Sequence, residues 1–209
     1  MKYDDPKEDM TAGKEERRES PAAYDNAQKK LYTLDDYYAL PEERRAELID
    51  GIIYEMSSPS WNHQAILLAL AVQFGKCMEE HHASCRVAAA PCDVRLDRDD
   101  FTMVQPDLMV ICDEKKITER CVEGAPDLTL EILSPSTRSK DMVLKLYKYR
   151  KAGVREYWTV DPEYRKITVH LFEDGDDEPS EYGFDDRIPV GISGGKCTID
   201  FSEVKKHIL

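Results

Sequence analysis

The middle of the chain consists of short apolar runs, each bounded by proline, aspartate, glutamate or glycine. Runs of this length that are rich in β-branched or bulky residues are typical of buried strands. We therefore expect five strands in this part of the sequence. They lie at about 91–96, 105–112, 127–133, 156–160 and 167–172.

Two further stretches repeat their apolar residues at helical spacing. From about residue 62 to residue 82, side chains such as Ile66 and Leu70 fall near one face, which predicts a long helix packed across the sheet. A second helix is expected from about 140 to 151, and Gly153 provides its C-terminal stop. The elements together predict an α/β fold, a central mixed β-sheet flanked by α-helices.

The segment before the long helix predicts a helix followed by a hairpin. Thr33 and Asp36 have the spacing of a helix N-terminus, and the sequence PEERRAEL continues a helical pattern toward Glu47. The Asp50-Gly51 pair lies between apolar flanks and is a strong signal for a two-residue turn between strands. Glu47 is therefore expected where helix gives way to strand.

Two acids lie inside the apolar runs, and a lysine follows on the second helix. Asp107 lies in QPDLMVIC and Glu131 lies in DLTLEIL. Lys145 follows both acids and lies on the second predicted helix, which ends at Gly153. Burying an unpaired carboxylate costs several kcal/mol, so each acid should have a cation or a hydrogen-bond donor as its partner. Mg²⁺ typically takes one or two carboxylates from a protein. Asp107 and Glu131 fit that count, and the pattern suggests a metal-dependent phosphodiesterase.

Four segments resemble the PD-(D/E)XK nucleases and, within them, the Uma-two family of restriction-endonuclease-like proteins, which is common in bacteria. The resemblance runs from about Tyr32 to about Leu171. It implies a restriction-endonuclease-like core for these residues. The segments are YTLDDYYALPEERRAELIDGIIYEMSSPSWNHQ, QPDLMVI, LTLEILSPSTRSKDMVLKLYKYRKAGVREYWTVDP and KITVHLF.

The resemblance also implies a set of site residues. Pro106 and Asp107 would form the PD pair, Glu131 would be the second acid, and Glu47 would be the glutamate that precedes the core sheet. Asp107 and Glu131 would bind Mg²⁺, or Mn²⁺, directly, and the backbone carbonyl of Ile132 would be a further ligand. Glu47 would bind the metal directly or through water. From the sequence alone, a surface glutamate at the end of an exposed turn is the better reading of Glu47, and the family resemblance reverses that preference.

The lysine of the nuclease pattern is displaced. The commonest pattern has a lysine two residues after the second acid, where this chain has Leu133. The family resemblance implies relocation of this lysine to the next helix, which makes Lys145 the catalytic candidate that positions the attacking water. The alternative is a surface ion pair between Lys145 and Asp141, four residues earlier on the same helix.

Several residues near these segments are further candidates. His63 begins the long helix and could reach a phosphate or a metal-bound water, although such a histidine is more often a solvent-touching cap. Gln105 precedes the PD pair and is a second minor candidate. The turn from Ser134 to Thr137 reads as a helix cap that could also contact phosphate. The substrate-binding candidates are Ser136, Thr137, Arg138 and Lys148.

Charge is distributed unevenly along the chain. The formal net charge is -13, whereas proteins that grip DNA usually present a basic face. Acidic residues concentrate after the last predicted strand. The most basic stretch follows Glu131 and lies beside the proposed site. The alternative interpretation of that stretch is a solvated helix face. Its members are Arg138, Lys140, Lys145, Lys148, Arg150, Lys151 and Arg155.

The cysteines and the apolar runs indicate a cytoplasmic protein. The six cysteines form no CxxC pair and no zinc-like spacing, so we expect them to be reduced. The N-terminus lacks the apolar core of a signal peptide, and the longest apolar run, Ala65 to Val72, is too short to span a bilayer. Residues 1–30 are expected to form a polar tail before a single domain at 31–209. Its core covers about 32–172, and an acidic loop and a terminal hairpin cover about 173–209.

The function predicted from these observations is a Mg²⁺-dependent endonuclease that hydrolyses DNA phosphodiesters. One alternative is a nuclease-derived binding or assembly module without turnover, which the acidic charge and the displaced lysine would allow. Another is a hydrolase of a smaller phosphate ester. DNA is the expected partner, no membrane association is expected, and a homodimer is plausible because cutting both strands usually needs two sites.

Overall fold

The computed structural model describes residues 30–41, 43–81, 84–172 and 178–209. Residues 31–209 form one unit, while most of the predicted tail and part of the predicted acidic loop lie outside the described residues. The helices are α1 (Leu34–Tyr38), α2 (Trp61–His81), α3 (Leu146–Ala152) and α4 (Phe201–Lys205). The strands are β1 (Ala46–Ile49), β2 (Ile52–Glu55), β3 (Arg86–Ala89), β4 (Val94–Arg95), β5 (Leu108–Ile111), β6 (Val122–Glu123), β7 (Leu128–Ile132), β8 (Glu156–Asp161), β9 (Lys166–Leu171), β10 (Ser180–Gly183), β11 (Arg187–Pro189) and β12 (Thr198–Asp200).

The centre of the fold is a six-stranded mixed sheet in the order β10-β9-β8-β7-β5-β3. Strands β7 and β8 are parallel, and the other neighbouring pairs in this sheet are antiparallel. The parallel pair requires a crossover connection, and a helical segment ending in α3 provides it. The prediction of a central mixed sheet flanked by helices is confirmed.

The two faces of the sheet differ in what they bury. On one face, Leu128, Leu130 and Ile132 of β7 pack in a core with apolar residues of α2, among them Ile66 and Phe74. Because side chains alternate along a strand, Thr129 and Glu131 point to the opposite face, towards α3. Glu131 therefore shares a face with the crossover helix, while α2 covers the other face.

The N-terminal elements match the prediction in part. Thr33 caps α1 in a capping box with Asp36, and Asp50 and Gly51 have φ angles of 49° and 76° in the turn between β1 and β2. Positive φ at both positions is what a type I′ hairpin turn requires. The helix predicted over PEERRAEL is wrong, because Ala46–Ile49 is a buried strand that pairs with β2.

Strand β3 was not predicted, and the strand expected at 91–96 is only the short β4. Among the described strands, β3 pairs with β5 alone at the edge of the main sheet; none of its four positions is buried, and its apolar run is short. The predicted terminal hairpin is present as β11 and β12, and β10 extends the main sheet.

Two disulfides join elements that are distant in sequence, Cys77 to Cys197 and Cys85 to Cys112. The prediction of six reduced cysteines is therefore wrong for these four. The second bridge follows from the sheet register, since Arg86 pairs with Ile111 and the flanking cysteines face each other. Disulfides are rare in cytosolic proteins, so both bridges are at odds with the predicted cytoplasmic location.

None of the helices in the described part of the chain is long and apolar enough to cross a membrane.

Candidate active site

Asp107 and Glu131 face each other across two neighbouring strands. Strand β5 pairs with β7 in a register that sets Leu108 opposite Leu130, so the next pair along is Asp107 and Glu131. Directly opposite residues of an antiparallel pair point to the same face of the sheet. Glu131 is only 3% exposed and Asp107 is 8% exposed, so both carboxylates need specific partners.

The partners of Asp107 hold its carboxylate toward the end of β7. Its Oδ2 atom accepts a hydrogen bond of 2.7 Å from the backbone N–H of Ile132 and lies 3.2 Å from Nε2 of His63. His63 is the third residue of α2, so the minor candidate from the sequence does meet the first acid. The N–H of Ile132 thus contacts Asp107, and a ligand role for its carbonyl stays a prediction.

Lys145 lies at the centre of a buried ionic cluster. Its Nζ atom is 2.8 Å from Oε1 of Glu131, 2.7 Å from Oε1 of Glu47 and 3.5 Å from Oδ1 of Asp141. The lysine is 2% exposed. Its contact with Asp141 is therefore part of a buried network, and the alternative of a surface ion pair is wrong.

A π-helical segment, Lys140–Lys145, explains why two lysines reach the same glutamate. Residues five apart lie on one side of a π-helix, because its hydrogen bonds span five residues. Lys140 Nζ is 2.6 Å from Oε2 of Glu47, and Lys145 binds the other carboxylate oxygen. Gln105 donates its backbone N–H to Oε1 of Glu47 at 3.0 Å. Glu47 is thus held by three donors.

The pKa values of the two glutamates in the cluster shift in opposite directions. Burial acts to raise the pKa of Glu47, but the ammonium groups of Lys145 and Lys140 outweigh it and lower that pKa below its usual value. Burial opposes a charge on Lys145, yet Glu131, Glu47 and Asp141 raise its pKa well above its usual value. For Glu131, burial dominates, and the neighbouring acids Asp141 and Asp107 add to it, so its pKa is raised despite Lys145. Lys145 is therefore a cation and Glu47 an anion, while Glu131 binds protons more readily than a free glutamate.

Tyr149 is a site residue that the sequence analysis missed. Its hydroxyl donates a hydrogen bond of 2.6 Å to Oε1 of Glu131, the same oxygen that Lys145 contacts. Asp141, Lys145 and Tyr149 follow one another at four-residue intervals, which places them along one side of the helical segment. That spacing was the signal that could have identified Tyr149 and the buried role of Asp141.

The donor set fits a hard divalent cation bound by two carboxylates. Within the described ranges, no three histidine, cysteine or acidic side chains form a preformed metal site. Mg²⁺ needs only one or two carboxylates and takes its remaining ligands from water and substrate. Asp107 and Glu131 supply these two at opposite strand positions. Glu47 has fewer free lone pairs, because three donors already bind its two oxygens.

These groups line a cavity of about 590 Å³. Glu47, Asp107, Glu131 and Lys145 are among its lining residues, and so are the predicted candidates His63, Ser136, Thr137 and Arg138. Two loops form part of the rim. One is the segment 57–60 before α2, and the other is the segment 134–137 after β7.

Two predicted candidates do not line this cavity. Gln105 directs its side-chain amide to the hydroxyl of Tyr37 and to Asp93, at 3.1 and 2.9 Å. Lys148 is buried and forms ion pairs with Asp50 and Asp97. The structure therefore does not bring Lys148 to the other substrate-binding candidates, because its position on α3 faces the turn of the β1–β2 hairpin.

Comparison with known proteins identifies a family for this chain. A family model described as "Uma2: putative restriction endonuclease" matches residues 34–196, which include the cluster and both rim loops. The chain belongs to the Uma2 family. The resemblance to the Uma-two proteins that the sequence segments indicated is thereby confirmed.

Two relatives of this Uma2 protein show how far the similarity extends. The uncharacterized protein slr1290 of Synechocystis sp. is 27% identical over 171 residues, which cover 79% of this chain and 88% of the relative. A crystal structure described as a putative nuclease belonging to DUF820, from Anabaena variabilis, superposes with a TM-score of 0.69 at 22% identity. The match covers 85% of this chain and 99% of that one, and it shows that the two share a fold.

Proposed function

We propose that this Uma2 protein is a metal-dependent endonuclease that hydrolyses DNA phosphodiester bonds. The observation that supports the proposal most directly is the placement of Asp107 opposite Glu131, with the buried Lys145 on Glu131, at the base of one cavity. Cation-binding carboxylates beside a fixed positive charge are the parts that phosphodiester hydrolysis requires. The family description agrees with this reaction class, and the fold is shared with the Anabaena structure described as a putative nuclease.

Asp107 and Glu131 would hold Mg²⁺ or Mn²⁺, and the carbonyl of Ile132 would be a further ligand. The bound cation would polarise the phosphodiester and lower the pKa of a coordinated water. The chain itself would contribute a fixed charge through Lys145, whose ammonium group orients the attacking water and offsets negative charge on the phosphate oxygens. Glu47 would keep Lys145 charged and in place, in addition to its expected contact with the metal, direct or through water.

The rim residues would position the substrate. His63, Ser136, Thr137 and Arg138 line the cavity around the acids, and their donors suit phosphate oxygens. His63 also contacts Asp107 and so links the rim to the first acid.

The experiment that tests this proposal is cleavage of supercoiled plasmid and of single-stranded DNA with Mg²⁺, with Mn²⁺ and with EDTA. We expect cutting that needs a divalent cation and that Asp107→Ala abolishes, while circular dichroism shows an unchanged fold. Full activity of Asp107→Ala would remove this acid from the mechanism. Failure of the clean wild-type protein to cut any substrate would favour the alternative of a binding module without turnover.

A further inference from the structure

We propose that Arg45 binds a phosphate group of the substrate in this cavity through its guanidinium group. The inference rests on the proposed nuclease function and adds a phosphate-binding residue to the same site. It is supported by the position of Arg45 among the lining residues, by the neutral group that holds its guanidinium, and by the acidic partners of the other cations that line the cavity.

Arg45 lies at the open end of the β1–β2 hairpin and lines the cavity. Its backbone carbonyl accepts a hydrogen bond of 2.9 Å from the N–H of Met56, which directly precedes the rim segment 57–60. Glu47, two residues further along the chain, lines the same cavity, and so does Asp107. The hairpin therefore brings a cation to the cavity that contains the acids.

A neutral amide holds the guanidinium group of Arg45. Its Nη2 atom donates a hydrogen bond of 3.3 Å to Oε1 of Gln105. The amide nitrogen of Gln105 donates to the hydroxyl of Tyr37 and to Asp93, so its amide oxygen faces Arg45. The backbone N–H of Gln105 donates to Glu47 at 3.0 Å, which links Arg45 to the ionic cluster. Because Gln105 is uncharged, its contact positions the guanidinium group without neutralising it.

Most donors of Arg45 have no acceptor in the described part of the chain. An arginine side chain has five N–H donors, and the contact with Gln105 uses one of them. The Nε atom is buried and has no hydrogen-bond partner among the described residues. Buried polar groups normally have partners, and a bound ion is one explanation of an exception. A planar guanidinium presents its donors in a fork that matches two oxygens of a phosphate.

The other lysines and arginines that line the cavity have acidic partners. Lys140 and Lys145 contact Glu47 at 2.6 and 2.7 Å, and Arg138 pairs with two further acids. Among the described lysines and arginines of this lining, Arg45 alone forms no ion pair. The chain has a net charge of -13, so most of its surroundings repel an anion. A cation without a counter-ion is the group that can best attract a phosphate there.

Arg44 precedes Arg45 in the sequence but has different surroundings. It is exposed, forms an ion pair with Glu55 and does not line the cavity. The two arginines stand side by side in PEERRAEL, where the sequence alone does not distinguish them. Arg44→Gln is therefore the matched control for Arg45→Gln, because both variants lose one positive charge and only one of them loses it from the cavity.

The first measurement is DNA binding as a function of salt concentration. Wild type and both variants are titrated in Ca²⁺ into fluorescein-labelled (dT)12 and into a 12-bp duplex, with fluorescence anisotropy as the readout and gels to check that the DNA stays intact. Each phosphate neutralised adds about 0.7 to the slope of log K against log salt on a single strand, and about 0.9 on a duplex. Arg45→Gln should bind about 10-fold or more weakly and lose about one such increment of slope. Arg44→Gln should match wild type in both.

The second measurement separates binding from structural support. Arg45 is partly buried without a counter-ion, so Arg45→Gln should leave the Tm of the free protein unchanged or higher. DNA should raise the Tm of wild type more than that of Arg45→Gln, because a bound ligand stabilises the folded state. Arg45→Lys keeps the charge but not the planar fork, and it should restore the salt dependence with only part of the affinity.

Four results would overturn the inference. Wild-type affinity and salt dependence in Arg45→Gln exclude the phosphate contact and leave the proposed nuclease function intact. Weaker binding with an unchanged slope and a lower Tm assigns Arg45 a structural role. Equal losses in Arg44→Gln assign the effect to net charge. Absence of DNA binding by wild type contradicts both this inference and the proposed function. Arg45-dependent binding by a protein that cuts nothing supports the inference and contradicts turnover alone.

Discussion

Glu131 in β7 and Glu156 in β8 are both buried acids in the two central, parallel strands, but their surroundings differ. Glu131 lies near the end of its strand and faces Lys145 and Tyr149 at the base of the cavity. Glu156 begins its strand and lies outside the residues that line the cavity. It accepts hydrogen bonds from the indole N–H of Trp158 at 2.6 Å and from the backbone N–H of Ile192 at 2.8 Å.

The contrast shows that burial of an acid does not by itself identify a catalytic group. Gly191 adds a third N–H donor to Glu156, and a Cβ atom at that position would collide with the side chain of Leu171. Glu156 thus joins the segment after β11 to the sheet through neutral donors. Glu131 instead meets a cation and an open cavity, an arrangement that leaves it available to a metal and a substrate.

The largest expected effect separates the two glutamates by activity. Glu131→Gln should lower metal-dependent cleavage by about 1,000-fold or more, because it removes one of two carboxylates from the cation site. Glu156→Gln should leave the rate per folded molecule within about 3-fold of wild type, since its donors are backbone and indole groups away from the cavity. Initial rates at equal concentrations of folded protein measure both. Equal losses in the two variants would remove the distinction between the two acids.

Two buried lysines on the same helical segment extend the comparison. Lys145→Met should lower cleavage by about 100- to 1,000-fold, as removal of one charge-stabilising donor does in other enzymes. It should also destabilise the fold by about 3–5 kcal/mol, because it leaves buried carboxylates without their cation. Cleavage rates and urea unfolding of the same samples separate the two effects.

Lys148→Met is the matched control for Lys145→Met. Lys148 is equally buried, but its partners Asp50 and Asp97 are partly exposed and do not line the cavity. We expect a loss of about 1–3 kcal/mol in stability and no change in the cleavage rate of the folded protein. A large loss of rate in Lys148→Met would return Lys148 to the substrate-binding residues, from which its position in the structure separates it.

The sequence predicted those parts of the site in which a charged residue stands within an apolar segment. An acid within an apolar run, such as Glu131, is visible without any tertiary information, and the family resemblance added Glu47 and Lys145. The register that pairs Asp107 with Glu131 was not predictable, because it depends on how two distant strands align. Glu156 was predicted only as the first residue of a strand, since two of its three donors, Gly191 and Ile192, lie more than 30 positions later in the sequence.

The π-helical segment and the disulfides were not predicted, for a related reason. The contact of Lys140 with Glu47 was not predicted, because the five-residue spacing between Lys140 and Lys145 does not match the periodicity of an α-helix. The disulfides depend on tertiary contacts between cysteines 120 and 27 residues apart, which no local spacing motif indicates. The sheet and its long helix were predictable because their apolar periodicity is local.

A smaller effect tests the structural role of Glu156 directly. Glu156→Gln should lower the free energy of unfolding by about 1–3 kcal/mol, because an amide cannot accept all three hydrogen bonds that the carboxyl oxygens accept. Urea unfolding at pH 5 measures this loss. Unchanged stability would contradict the role assigned to the contacts with Gly191 and Ile192.

The smallest expected effect is a pH dependence that Glu156→Gln removes. Burial raises the pKa of Glu156 above its usual value of 4.5, although the N–H donors of Ile192, Trp158 and Gly191 oppose the shift. The folded state therefore binds this proton more tightly than the unfolded state. The resulting stabilisation is complete below pH 4.5 and is lost as the pH rises through the folded-state pKa, with a slope of at most about 1.4 kcal/mol per pH unit.

Other groups titrate alike in the two proteins, so subtracting their unfolding free energies at each pH isolates Glu156. The advantage of wild type over Glu156→Gln should shrink between pH 5 and pH 8. An advantage that grows with pH would mean that the N–H donors outweigh burial and hold Glu156 as an anion. Glu156 would then be a structural carboxylate that neutral donors keep ionised. It would differ from Glu131 only in having no cavity and no neighbouring cation.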